Sequence, residues 1–289
     1  MTTLNIIGCG RAGRALGRLF ATRNALVVQD MYDRLPQEAV AAAAFIGVGR
    51  PVAALAAMRP ARVWMLTPPD AQIVPAAAAL AAGGRLRAGD VVFHCSGALP
   101  SRELAAAQAA GAAVAGVHPI KTFAEPLRAV GTFEGTYCAA EGDAAALAVL
   151  TPAFEALGAR VIAIDPDFKT VYHAASVLVC NDLVALMEAG ARCYEKAGLP
   201  RAVALQAAEP LVRETVDNVF RLGTAGALTG PVARGDAAVV AKQIAALAAF
   251  DPGIAAIYRE LGRVALALAR ARGNADPAAL DAVDDALKG

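Results

Sequence analysis

The amino-acid sequence predicts an α/β domain built on a largely parallel sheet, followed by an all-helical domain. Three observations carry that prediction. Residues 4–7 form a short apolar run that ends in Gly8, Gly10 and Gly13, spaced G-x-G-x-x-G, ahead of apolar positions that recur at helical spacing. Short apolar runs then alternate with helical patterns as far as residue 164. Beyond Asp165 and Pro166 no strand is convincing and the chain reads as helix after helix. The expected domains are residues 1–166 and 167–289.

The opening stretch is the most specific. In a strand that turns through glycines into a helix, each glycine has its own physical role. Gly8 allows the tight turn, Gly10 lets backbone N–H groups approach a pyrophosphate, and Gly13 lets the helix pack closely on the sheet. The helix N-terminus supplies partial positive charge. This is the context that turns a G-x-G-x-x-G into a Rossmann dinucleotide site, with Cys9, Arg11 and Ala12 completing the loop. A glycine-rich turn that merely packs is the bland alternative.

The bulk numbers bound the remaining classes. A chain of 289 residues suits one large or two ordinary domains. Its net charge of +1, with the signs mixed, offers no basic stripe for nucleic acid. Hydrophobic residues make up 57%, so a membrane span has to be considered, but residues 39–49 stop at Arg50 and the run from Val171 carries His173, Asn181 and Asp182. We expect no span, and a cytoplasmic protein, because the first strand begins without a charged and apolar leader. Five cysteines without C-x-x-C spacing read as reduced thiols.

In chain order, a strand over 25–31 ends beside Asp33 and Arg34. A carboxylate there bonds the ribose of NAD, and an arginine accepts the 2'-phosphate of NADP. Arg34 favours NADP, with NAD the alternative. Residues 36–44 suit a helix and 50–58 another. The strand 63–66 runs into Thr67 and Pro68, which would neighbour the nicotinamide half, although Asp70 beyond them also suits a helix cap.

Strands over 91–93 and 113–117 each end in a histidine, His94 and His118, and the chain holds only three histidines. With Ser96 and Lys121 nearby, that repetition at the ligand-binding edge of a sheet points to a site rather than to structural imidazoles. Strands over 136–140 and 160–164 flank a helix at 143–157. On the first long helix of the second domain, 168–198, His173, Val177 and Asn181 recur at i, i+4 and i+8, so a buried His173 and Asn181 would share a face. The segment 228–236, LTGPVARGD, reads as a chemically specific loop that carries Arg234, with Asp236 placed to cap the next helix.

HCSGALPSREL, GVHPIKTF, YHAA with Asn181 beyond it, and ALTGPVARGD together resemble bacterial two-domain proteins whose C-terminal half is the domain of unknown function 2520. These are similar to the 6-phosphogluconate dehydrogenase-like superfamily, alongside pyrroline-5-carboxylate reductase, and are described as NADP oxidoreductases. The resemblance implies that Gly8, Gly10 and Gly13 hold pyrophosphate and that Thr67 and Pro68 flank the nicotinamide. It also implies that Ser96 and Gly97 lie where substrate or nicotinamide is contacted, and that His118 with Pro119 handles a substrate proton, as the histidine-proline pair of prephenate dehydrogenase does.

The expected activity is hydride transfer between a nicotinamide and a carbonyl or imine carbon of a small metabolite held in an interdomain cleft. His118 is the first choice as acid or base, with His94, Ser96, His173 and Asn181 orienting the reacting atom. A non-catalytic dinucleotide sensor or scaffold is the rival. A metal hydrolase on the three histidines has no supporting spacing, so no metal is expected. Lys121 and Arg234 hint at an anionic substrate. Alanine- and leucine-rich helices with more than one apolar face predict a homodimer through the helical domain.

Overall fold

The structure, a computed structural model, describes residues 2–289, which fall into two compact units that divide between Asn181 and Asp182. In the first, the elements run β1 (Thr3–Ile7), α1 (Arg11–Thr22), β2 (Val27–Tyr32), α2 (Pro36–Ile46), β3 (Arg50–Val52), β4 (Val63–Leu66), α3 (Ile73–Ala82), β5 (Val91–His94) and α4 (Ala105–Ala109). They continue with β6 (Ala113–Pro119), α5 (Pro126–Gly131), β7 (Tyr137–Gly142), α6 (Ala144–Glu155) and β8 (Arg160–Ala163). The strands form one eight-stranded sheet in the order β3-β2-β1-β4-β5-β6-β7-β8. All neighbours are parallel except β6 and β7. This is the doubly wound Rossmann arrangement that the alternation predicted, and the chain reverses its winding between β1 and β4.

Strand alternation explains why both faces of the sheet are covered. Leu4, Ile6, Val63, Met65 and Phe93 point to one side and pack with Phe20 and Phe154, whose rings meet edge-on at 5.3 Å. Ile7, Trp64, Leu66, Val92 and Val114 point to the other and pack beneath Ile73, Leu80 and Leu104. A parallel sheet buried on both faces needs such continuous apolar runs.

The expected helix over 50–58 is corrected. Its first residues are the edge strand β3, and Leu55–Ala57 make one 3-10 turn. The cause is long-range: the buried Asp30 carboxylate accepts bonds from the Arg50 and Arg59 guanidinium groups and from the Arg59 backbone amide. Those bonds hold residue 50 against β2. Burial alone would raise the Asp30 carboxyl, but the arginine bonds outweigh it and hold the group at about 2.

A long helix, α7 (Lys169–Lys196), starts in the first unit and ends in the second. The second unit continues with α8 (Arg201–Ala227), α9 (Gly230–Arg234), α10 (Ala237–Phe250), α11 (Pro252–Arg272) and α12 (Pro277–Lys288). Its core joins Val240, Ile244, Leu266, Val283 and Leu287. The loop expected over 228–236 contains the short α9, closed by Gly235 in the left-handed region, and Asp236 caps α10 by accepting the Val239 amide.

One helix, Pro166–Lys196, is long and apolar enough, by length and composition alone, to cross a bilayer. Its polar residues do not lower that average enough, yet its first turn carries Lys169, fully buried and ion-paired inside the first unit.

Candidate active site

The edge of the sheet at the β1/β4 reversal is made mostly of backbone. Gly8 has a φ of +96° and donates its N–H to the Tyr32 carbonyl; a Cβ on it would lie 2.3 Å from the Pro68 nitrogen. Only glycine fits there. The Thr67 hydroxyl donates to the Gly8 carbonyl at 2.7 Å. Thr67 therefore ties the end of β4 to the loop.

The fit to a dinucleotide rests on what α1 leaves unused. Its N-cap is Gly10, with no side-chain cap and no acidic residue in the first turn, so the first-turn amides are unspent and the helix presents its positive end. A groove of about 400 Å³ adjoins it, lined by Gly8, Gly10, Tyr32, Arg34, Thr67, Pro68 and Gln72 among others. Of the predicted loop residues, Arg11 is exposed and Ala12 half-buried. Cys9 is corrected: its amide donates to the Asp33 carboxylate at 2.7 Å and its thiol to the Tyr32 carbonyl, so neither is free for phosphate. Burial, helped by the Asp33 charge, pushes that thiol up to about 12. Asp33 also accepts the Leu35 amide, while the neighbouring Arg34 extends along the groove with one long bond, 3.5 Å, to Gln72.

Beyond β5 and β6 the edge is made of side chains. His118 Nδ1 lies 2.8 Å from the Tyr172 hydroxyl, and its ring meets those of Tyr172 and His173 edge-on at 5.7 and 5.6 Å. Gly97 lies flush against both imidazoles, since a Cβ there would sit 2.4 Å from His173 Nδ1 and 2.9 Å from His118 Nε2. The His173 Nδ1 atom is buried without a hydrogen-bond partner among the described residues, a polar group left for something else to satisfy.

Burial, then the positive fields of His173, Lys169 and His94, push the His118 imidazole down to about 4 against the opposing pull of Asp70. It is neutral at physiological pH. Burial pushes the Tyr172 phenol up to about 12, so it stays protonated. Tyr172 and His118 together can hand a proton to, or take one from, a group beside Gly97.

The structure brings Ser96, Gly97, His118 and His173 together, and it redirects the other expected site residues. Ser96 donates to Asp70 at 2.9 Å and accepts the amides of Ala98 and Leu99, which makes it the fastener of its loop. His94 is corrected. It is fully buried, its Nδ1 takes the Ser96 amide and its Nε2 faces the Pro100 carbonyl at 3.4 Å, so neither nitrogen is left for a reacting atom. Asn181 is corrected as well: it is exposed rather than buried and has no side-chain hydrogen bond among the described residues. Lys121, read as a hint of anion binding, is spent on the Thr132 carbonyl at 2.7 Å.

Tyr172 is the residue that the sequence pattern does not single out, although it stands next to His173. Lys169, Tyr172 and His173, at i, i+3 and i+4, are the face that counts. Among the described residues no three His, Cys, Asp or Glu side chains are placed to hold a metal.

Comparison with known proteins agrees with this fold. Residues 136–265 match the family model described as domain of unknown function (DUF2520). The match starts after the HCSG and GVHPIK segments. Among solved structures, protein TM1727 of Thermotoga maritima is 26% identical with a TM-score of 0.72, over 93% of this chain and 99% of that one. A pyrroline-5-carboxylate reductase of Coxiella burnetii is 15% identical with a TM-score of 0.59, over 99% and 98%. A reductive aminase of Aspergillus terreus in complex with NADPH and ethyl-5-oxohexanoate is 18% identical with a TM-score of 0.58, over 100% and 93%. No curated protein matches the sequence.

Proposed function

We propose that this chain, which carries the domain of unknown function 2520 behind a Rossmann sheet, is a nicotinamide-dependent reductase or dehydrogenase acting on a carbonyl or imine carbon. One observation carries the reading. A single sheet edge carries unspent helix amides beside a groove at β1 and β4 and, at the ends of β5 and β6, a neutral imidazole bonded to a phenol. The first suits a pyrophosphate and the second suits the one proton that a reduction must manage.

Gly8, Gly10, Ala12 and Gly13 would hold the dinucleotide, with Arg34 beside a 2'-phosphate, which favours NADP. The cofactor supplies hydride chemistry. This chain's own residues do the rest. Gly97, having no Cβ, lets the two imidazoles close against the backbone, His173 Nδ1 offers an unpaired polar atom to orient the reacting group, and the Tyr172–His118 pair supplies or removes the proton. Ser96 keeps the loop that carries Gly97 in place. The names of the fold relatives, a pyrroline-5-carboxylate reductase and a reductive aminase, suggest carbon–nitrogen double bonds as the first substrates to try.

A homodimer through the helices is part of the same reading. Leu178, Val179, Val184 and Phe220 are 65, 74, 69 and 87% exposed in the single chain, an unusual apolar load for solvent. A monomer by light scattering at micromolar concentration would overturn that part.

The deciding experiment titrates purified protein with NADPH and NADH by nicotinamide fluorescence, then assays cyclic imines, ketones and 2-oxo acids for oxidation of the tighter cofactor. We expect micromolar NADPH binding and turnover within the imine or ketone set. Failure of both cofactors to bind at millimolar concentration rejects the reading. Binding without turnover across the set would favour the sensor or scaffold alternative.

A further inference from the structure

Lys169 is fully buried at the first turn of α7, with Nζ 2.7 Å from Glu141 Oε1 of β7. The same carboxylate accepts the Ser101 amide at 2.9 Å and the Ser101 hydroxyl at 2.6 Å. As a source of stability this is a poor arrangement. Burying two charges costs about as much as their attraction returns when compared with an apolar pair, and a cation at a helix N-terminus opposes the helix dipole.

Its placement suggests another role. A Cβ on Gly116 would lie 2.2 Å from Lys169 Nζ and 2.3 Å from Glu141 Oε1, so the ion pair fills the hollow above Gly116 on β6. Two residues further along that strand, on the same face, stands His118. One turn further along α7 stand Tyr172 and His173. A turn of helix rises about 5.4 Å and two strand residues about 6.6 Å, so fastening Lys169 at Gly116 sets Tyr172 and His173 level with His118.

We propose that Lys169 is a positioning residue: its buried bond to Glu141 pins α7 against β6 at the height that puts the Tyr172 hydroxyl on His118 Nδ1 and His173 against Gly97. With Nζ closed in by Glu141 and Gly116, Lys169 does not itself reach a substrate. Its charge has a second effect. The groups that face His118 are Tyr172, His173 and Lys169 from α7, His94 from the end of β5, and Asp70 from the turn before α3; Lys169 is among those that keep the imidazole neutral. The inference rests on the proposed function only in treating the His118 pair as the working group.

The test reads the imidazole directly and needs no substrate. In full-length protein, the His118 ring is followed by nitrogen and proton NMR from pH 3.5 to 8, in wild type, in Lys169→Met and in the doubly neutral K169M/E141Q, which leaves no charge unpaired. Wild-type His118 should remain neutral down to about pH 4. Either folded variant should raise its midpoint by about one unit and change the Nδ1 shift as the tyrosine bond loosens. NADPH affinity, read separately, should be unchanged. A wild-type midpoint near the ordinary histidine value overturns the proposal, as does a folded variant whose His118 shifts and midpoint match wild type. Failure of NADPH to bind wild type would sink the proposed function instead and leave these readings intact.

Discussion

The loop after β1 draws its donors from one short run, Gly8 to Gly13, and presents backbone. The edge beyond β5 and β6 assembles side chains from residues 70, 96, 118, 172 and 173. A backbone site needs no particular side chain, only the absence of one at Gly8. The imidazole edge depends on two distant elements, β6 and the start of α7, lying in register. The first therefore survives most substitutions that do not add atoms, whereas the second is sensitive to any change that shifts a helix along a strand.

The largest effect that would separate the two edges comes from adding one carbon to each. Gly8→Ala places a Cβ 2.3 Å from the Pro68 nitrogen at a φ of +96°, a clash of backbone against backbone. We expect a loss of roughly 3 kcal/mol or more of stability together with dinucleotide binding, read by thermal melting and nicotinamide fluorescence. Gly97→Ala meets imidazoles, which can turn, so the protein should fold and bind cofactor while the His118 and His173 resonances move. Equal loss of cofactor binding in both variants would show that the edges are not independent.

The same contrast explains what the sequence discloses. The glycine loop is legible because everything it needs is local: strand, turn, helix start and three spacings. His118 is legible as one of two histidines at strand ends, but the other, His94, stands opposite Gly116, two residues short of His118, and is consumed by its own loop. Register tells where a residue stands and not what its nitrogens meet. Tyr172 pairs with His118 across 54 residues and Lys169 with Glu141 across 28, and no local pattern reports such pairings. Strand β3 escapes the local pattern for a like reason, its place being set by Asp30 reaching Arg50 and Arg59.

Next in size, the proton-handling pair can be removed without touching the loop. His118→Asn and Tyr172→Phe should each lower turnover about 100-fold while NADPH affinity stays within twofold, once a substrate from the imine or ketone set is in hand. Turnover unchanged in either variant removes that residue from the chemistry.

A third effect lies at the start of the backbone edge rather than in the site. With Asp30 held at about 2 in the folded protein against 3.8 in a free chain, the folded state binds its proton less readily than the unfolded one. The contribution is fully present above pH 4 and is lost as pH falls through about 2. Its size is about 2 kcal/mol. Urea melts of wild type and Asp30→Asn between pH 2 and 6 should converge at the acid end; parallel curves would remove the carboxylate from the account.

The smallest effect sharpens the cofactor end of the comparison. Arg34 is exposed, lines the groove and is held only by the 3.5 Å bond to Gln72, whereas Asp33 is tied to the Cys9 and Leu35 amides. An exposed guanidinium in that position can close on a 2'-phosphate, where a bidentate contact discriminates by charge and geometry together. Arg34→Ala should therefore weaken NADPH about tenfold and leave NADH unchanged, because the hydroxyl of NADH gives the arginine no anion to hold. The difference should shrink as salt rises from 0.05 to about 0.5 M, since an exposed charge contact is screened. If both cofactors weaken equally, the arginine supports the groove rather than reading the phosphate, and selectivity falls to Asp33, whose carboxylate at the loop would then favour NAD.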